Sequence, residues 1–152
     1  RRVRQAFPGR EIDCSMEERD MVSLAHSDLL GQVFVNILEN AVRYSPGEAA
    51  VAVRLTRGEV RIRLRVIDQG PGIEAQDREH IFDRFYRGRN AQGMNGMGLG
   101  LSFSRDFILF MGGSITVENA REGARGTEVT VCLPVPADRA MEIGDECENP
   151  AD

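Results

Sequence analysis

The sequence of 152 residues contains no lysine and no tryptophan; all nineteen of its basic residues are arginine. Without lysine there is no P-loop, whose glycines precede one, and no strand lysine of a eukaryotic-type protein kinase. Cysteine is scarce, and Cys14, Cys132 and Cys147 stand far apart with no CxxC pair. That spacing argues against a zinc site or a disulfide framework and fits reduced thiols in a cytosolic protein. No run approaches the roughly 20 apolar residues of a membrane span. No signal segment opens the chain, which starts on Arg1-Arg2-Val3-Arg4 and reads as a portion of something longer. Excess positive charge is also missing. Six of the 24 acids and one arginine lie after Pro136, which leaves eighteen of each sign before it. A nucleic-acid surface is therefore not expected.

The apolar pattern that is present predicts one domain over residues 1–136 and an acidic, disordered tail over 137–152. Short extended segments are expected near 10–16 and 21–25. Ser27 or Asp28 is expected to cap a helix that follows, in which Leu30, Val33, Phe34, Ile37, Leu38, Ala41 and Val42 form one stripe before Ser45-Pro46-Gly47 ends it. Residues 49–68 read as a hairpin. Val60, Ile62, Leu64 and Val66 alternate with Arg61, Arg63 and Arg65, the ordinary pattern of a half-wet sheet. One or two short helices are expected within 74–88, a polar and flexible stretch over 89–96, a helix over 99–111, and two strands around a turn at 120–125. The order implies an α+β two-layer sandwich, with helices on one face of a mostly antiparallel sheet.

Four glycines, Gly93, Gly96, Gly98 and Gly100, fall in eight residues just before an apolar helix. Glycine weakens helices, so its concentration there needs a reason. Backbone N–H groups at a helix start bind anions, phosphate above all. The Rossmann spacing fails, because Leu101 occupies the place of its third glycine. Asn36 and Asn40 are four apart and share a helix face. Their amide oxygens suit Mg²⁺; two solvent-facing polar residues is the plainer alternative. Asp68 ends an apolar strand just before Gly70-Pro71-Gly72. It can accept a hydrogen bond from the exocyclic amine of a flat base, or simply satisfy local N–H groups in a turn. Phe82 and Phe85 are expected to anchor a short helix to the core, aiming the planar fork of Arg87 toward the glycine loop. Gly126-Thr127 brings a hydroxyl that can reach a base.

In this order, Asn-x-x-x-Asn-Ala-x-x-Tyr, Asp-x-Gly-x-Gly, Phe-x-x-Phe-x-Arg, Gly-x-Gly-x-Gly and Gly-Thr, the chain resembles the ATP-binding catalytic domain of bacterial sensor histidine kinases from about residue 28 to residue 134. The resemblance implies the Bergerat fold, which gyrase, the ninety-kilodalton heat-shock chaperone and the mismatch-repair ATPases share. It implies ATP and Mg²⁺, with Asn40 as the metal ligand assisted by Asn36, and Arg43 on phosphate. Tyr44 would pack beside the base and Asp68 accept the adenine amine. Gly70, Gly72 and Ile73 would shape the base pocket, and Arg87 address the γ-phosphate. Gly96, Gly98, Leu99, Gly100 and Leu101 would form the lid and phosphate-binding turn, and Thr127 would stand near the base. It further implies a dimerisation and phosphoacceptor domain upstream, a response regulator as partner, a homodimeric parent of which this portion alone is monomeric, and a cytoplasmic site, the parent being anchored in the inner membrane or not.

Two features refine that expectation. Hydrolysing relatives have a glutamate one turn before the metal asparagine; here Asn36 stands there and cannot take a proton. Asparagine suits an imidazole acceptor, which is already nucleophilic when neutral. Glu39 is expected to point to another side of the helix. His26 and His80 lie in no phosphoacceptor motif, and "FSRDFILFMGG" replaces the family's usual small-residue run and histidine. The competing readings are a nucleotide-binding signalling module without transfer, and a serine kinase or ATPase of the same fold.

Overall fold

In the computed structural model, which describes residues 8–16, 25–87, 98–120 and 125–136, two periodicities sort the chain into a sheet and a helical layer. The elements are β1 (Ile12–Met16), α1 (Ser27–Tyr44), β2 (Val51–Arg57), β3 (Arg61–Ile67), α2 (Ala75–Arg78), α3 (Gly100–Phe110), β4 (Ser114–Asn119) and β5 (Thr127–Pro134). Most of the strand expected over 21–25 and of the turn expected over 120–125 lies outside the described residues, as do the whole of 89–96, expected to be flexible, and the whole acidic tail.

The five strands lie in the order β1-β2-β3-β5-β4. β1 runs parallel to β2, with Ile12 opposite Val51, and all other neighbours are antiparallel. A parallel pair needs a long crossover, and α1 lies within it. The sheet is mixed and mostly antiparallel, as expected. In β3 the alternation holds: Ile62, Leu64 and Val66 are buried and the arginines between them are not. Val60, expected in the strand, lies in the hairpin turn and is exposed.

The outer sheet face places Arg54 directly opposite Arg65, a repulsive pairing if left alone. Each arginine finds an acid on its other side. Arg54 Nη2 meets Asp13 Oδ2 at 2.8 Å, and Arg65 grips both Glu128 oxygens at 2.6 and 2.8 Å. The hydrogen bond to Glu128 raises the Arg65 pKa above its ordinary value.

The inner face is covered by α1 and α3. Val33, Ile37 and Val42 of α1 and Ile108 of α3 are almost wholly buried against Val51, Val66 and Val131. Neither Ser27 nor Asp28 caps α1. Ser27 is already inside the helix, and His26 holds the cap position without a side-chain bond. The other end is closed from a distance: Arg10 Nη2 donates to the Val42 and Ser45 carbonyls, both at 2.7 Å. A cation there also suits the helix dipole. Beyond Phe110, α3 is closed through Gly112, whose φ of 72° allows Gly113 N–H to reach the Ile108 carbonyl at 2.9 Å, a Schellman closure.

Candidate functional site

Asn36, Asn40 and Tyr44 repeat every four residues along α1. They therefore make a polar stripe about 12 Å long at 1.5 Å per residue. That stripe forms one wall of a cavity of about 670 Å³. The end of β3, the glycine turn after it, the start of β5, Arg87 and the start of α3 supply the rest.

Asp68 is 6% exposed at the end of β3. Its Oδ1 accepts from Gly70 N–H at 2.8 Å and from Thr127 N–H at 3.0 Å. Burial raises its pKa from its ordinary value; the two amides and the Thr127 hydroxyl oppose that shift. Asp68 thus serves the turn, one of the two roles expected of it, and also lines the cavity. Gly70 is required by close approach, because a Cβ there would lie 2.7 Å from the Tyr44 carbonyl. The turn is so pressed onto the C-terminal end of α1, where Ser45 Oγ accepts from Gln69 N–H at 3.3 Å.

At the other end of the stripe, Asn36 Oδ1 accepts from Gln32 at 3.0 Å and its Nδ2 donates to the Gly100 carbonyl at 3.4 Å. This links α1 to the first residue of α3, which begins at Gly100 with Leu99 before it. Ser104, fully buried, donates to the same carbonyl at 2.7 Å. Arg43 and Arg87 both line the cavity.

Of the residues singled out from sequence, Asn36, Asn40, Arg43, Tyr44, Asp68, Gly72, Ile73, Arg87, Gly98, Leu99, Gly100, Leu101 and Thr127 line this one cavity. Gly70 lies beside it through Asp68, and Gly96 is outside the described residues. One expectation fails. Phe85 does not anchor a helix: α2 is a single turn ending before it, and Phe85 is 71% exposed. Its φ of 65° is left-handed, its N–H bonds the Gly98 carbonyl at 3.0 Å, and the side chain is thrown outward. Phe82 alone packs against the core. Glu39, expected on another side of the helix from the asparagines, also contributes to the cavity wall.

Sequence reasoning missed Asp77, Tyr86 and Asn119. Tyr86 Oη donates to the buried Asp77 carboxylate at 2.7 Å, and both line the cavity. They are nine residues apart, too far for a local pattern. Asn119 bonds the backbone of Ile73. It follows Ile115 and Val117 on the inward face of β4, so a polar residue breaking that alternation was the available signal.

The model for the histidine kinase-, DNA gyrase B- and HSP90-like ATPases matches residues 25–137. The chain belongs to that family. It is an ATP-binding catalytic domain of the sensor-kinase type. Among curated relatives, the sensor protein KdpD of Mycobacterium tuberculosis is 37% identical over 120 residues, covering 79% of this chain and 14% of that protein. The signal transduction histidine-protein kinase/phosphatase MprB of Mycobacterium sp. (strain KMS) is 42% identical over 108 residues, covering 69% of this chain and 21% of that protein. The chain therefore spans less than a quarter of the length of either relative. Among solved structures, a mycobacterial sensor histidine kinase MprB superposes with a TM-score of 0.80 at 34% identity, covering 88% of both chains. Full-length ShkA in complex with AMPPNP gives 0.71 at 26% identity, over 88% of this chain and 28% of that one. The ATPase fold and the sensor-kinase relationship are thus those the motif order implied. Among the described residues, no helix is long and apolar enough to cross a membrane.

Proposed function

We propose that this domain, spanning residues 1–136 ahead of an acidic tail, passes the γ-phosphoryl of ATP to a histidine on an upstream dimerisation domain of a homodimeric sensor kinase. A response regulator would then receive it on the cytoplasmic side; the fragment alone is a monomer. The observation that carries this reading is the single cavity lined by both Asp68 and Asn40. Asp68 accepts the adenine amine, and Tyr44, Gly72, Ile73 and Thr127 enclose the base. Arg43, Arg87 and the N–H groups at Gly98–Leu101 face the phosphates.

The donor set fits Mg²⁺ brought in with the nucleotide. Asn36 and Asn40 offer neutral amide oxygens, and no cluster of three histidine, cysteine or acidic residues stands among the described residues to hold a metal alone. When bound, Mg²⁺ neutralises phosphate charge. The protein contributes positioning and electrostatics. A neutral imidazole nitrogen attacks the γ-phosphorus and forms a P–N bond. The bond to the β–γ bridging oxygen breaks, its electron pair leaves with ADP, and the imidazolium proton goes to solvent.

The test is autophosphorylation of the parent kinase with Mg-ATP. Asn40→Asp and Asp68→Ala are expected to abolish it; undiminished labelling in both overturns the proposal. The position of Glu39 favours a second reading, in which Glu39 activates water for hydrolysis. Steady phosphate release that disappears in Glu39→Gln would establish that activity instead.

A further inference from the structure

Ile73 forms part of the cavity wall, yet it sits in a loop with no ladder of its own. Its backbone is held by one side chain. Asn119, the last residue of edge strand β4, accepts from Ile73 N–H at 2.6 Å through Oδ1 and donates to the Ile73 carbonyl at 3.1 Å through Nδ2. A carboxamide presents the same donor and acceptor pair as a peptide unit. Asn119 therefore extends the sheet edge by one residue and seats Ile73 on it. The fit is close: a Cβ on Gly72, which has φ of 81°, would lie 2.9 Å from Asn119 Oδ1. The other end of the same turn is tied to Asp68 through Gly70.

We infer that Asn119 is the positioning residue that sets base selectivity in this cavity, by clamping Ile73 so that the turn holds an adenine in register with Asp68. Asn119 does not touch the base; it acts through Ile73. The inference rests on Asp68 accepting the adenine amine. Guanine presents a carbonyl oxygen at that position, so a base held in register against the carboxylate places acceptor on acceptor and is rejected. A slack turn lets the base shift and loses that discrimination.

The test measures binding of Mg-ATP, Mg-GTP and Mg-tripolyphosphate to the 152-residue chain by calorimetry, alongside its melting temperature. Asn119→Leu keeps the shape and removes both hydrogen bonds. ATP affinity is expected to fall about tenfold, from the loss of roughly one net hydrogen bond's worth of organisation. GTP and tripolyphosphate affinities stay as they are, so the ATP preference shrinks by the same factor at unchanged melting temperature. Asn119→Asp keeps the acceptor for Ile73 N–H and loses the donor; it reads between wild type and Asn119→Leu and carries the test should the leucine variant fold poorly. An ATP/GTP ratio unchanged in both variants overturns the inference, as does equal weakening of all three ligands. A wild-type chain with no preference for ATP overturns the Asp68 reading and the clamp together. A wild-type preference that survives in the variants overturns the clamp alone.

Discussion

The two ends of the cavity are built differently. Around Asp68 the backbone is tied at four points: Gly70 and Thr127 donate to its carboxylate, Ser45 holds Gln69, and Asn119 holds Ile73. Around Asn36 and Gly100 the side-chain bonds among the described residues, from Gln32, Asn36 and Ser104 at 3.0, 3.4 and 2.7 Å, run within and between helices, and the cationic groups in the wall are arginines on long side chains. The difference teaches how one cavity serves a two-part ligand. A flat base has fixed hydrogen-bonding edges and rewards a rigid wall, because preorganisation spares ordering entropy on binding. A polyphosphate is a bendable, solvated charge, for which arginine forks and helix-start N–H groups suffice.

The comparison breaks most visibly at Asp68. Asp68→Ala is expected to weaken Mg-ATP binding about 100-fold, the upper range for a hydrogen bond to a charged group. Binding of Mg-tripolyphosphate should stay unchanged in the same calorimetric titrations. Equal losses for both ligands would mean that the two ends are not separable.

Acid sharpens the same contrast. Burial raises the Asp68 pKa, and the adenine amine needs the ionised form. ATP affinity should therefore fall as pH drops through that raised value, approaching about tenfold per pH unit below it, a dependence absent in Asp68→Asn. The free chain behaves in the opposite sense. With its folded pKa above the unfolded one, Asp68 contributes stability that is full below the unfolded value and lost as pH rises through the folded value. Chemical denaturation with and without ATP should show the two slopes. The smallest effect belongs to the open end. Asn40→Ala should weaken Mg-ATP about fivefold, the scale of a single neutral contact, and leave metal-free adenosine binding untouched.

Much of this architecture was legible locally. The β3 alternation, the α1 stripe and the glycine punctuation follow from backbone geometry within a few residues. Phe85 was misjudged because its left-handed φ depends on Gly98, thirteen positions away, whose carbonyl takes its N–H. Arg10, which closes α1, and the Asp77–Tyr86 pair had no periodic signal, since each bond crosses between elements.

What the sequence determined by itself was the set of elements and the chemistry at their ends: an acid after an apolar strand, asparagines four apart on a helix, glycines before another helix. Those follow from local sterics and periodic burial, which short stretches encode. Only the tertiary structure decided that Asp68 meets Thr127, that Asn36 reaches Gly100, and that Asn119 seats Ile73. Those contacts span 59, 64 and 46 residues, and they exist because β5 inserts between β3 and β4 while α1 and α3 share one sheet face, an order that is fixed by burying the whole core at once.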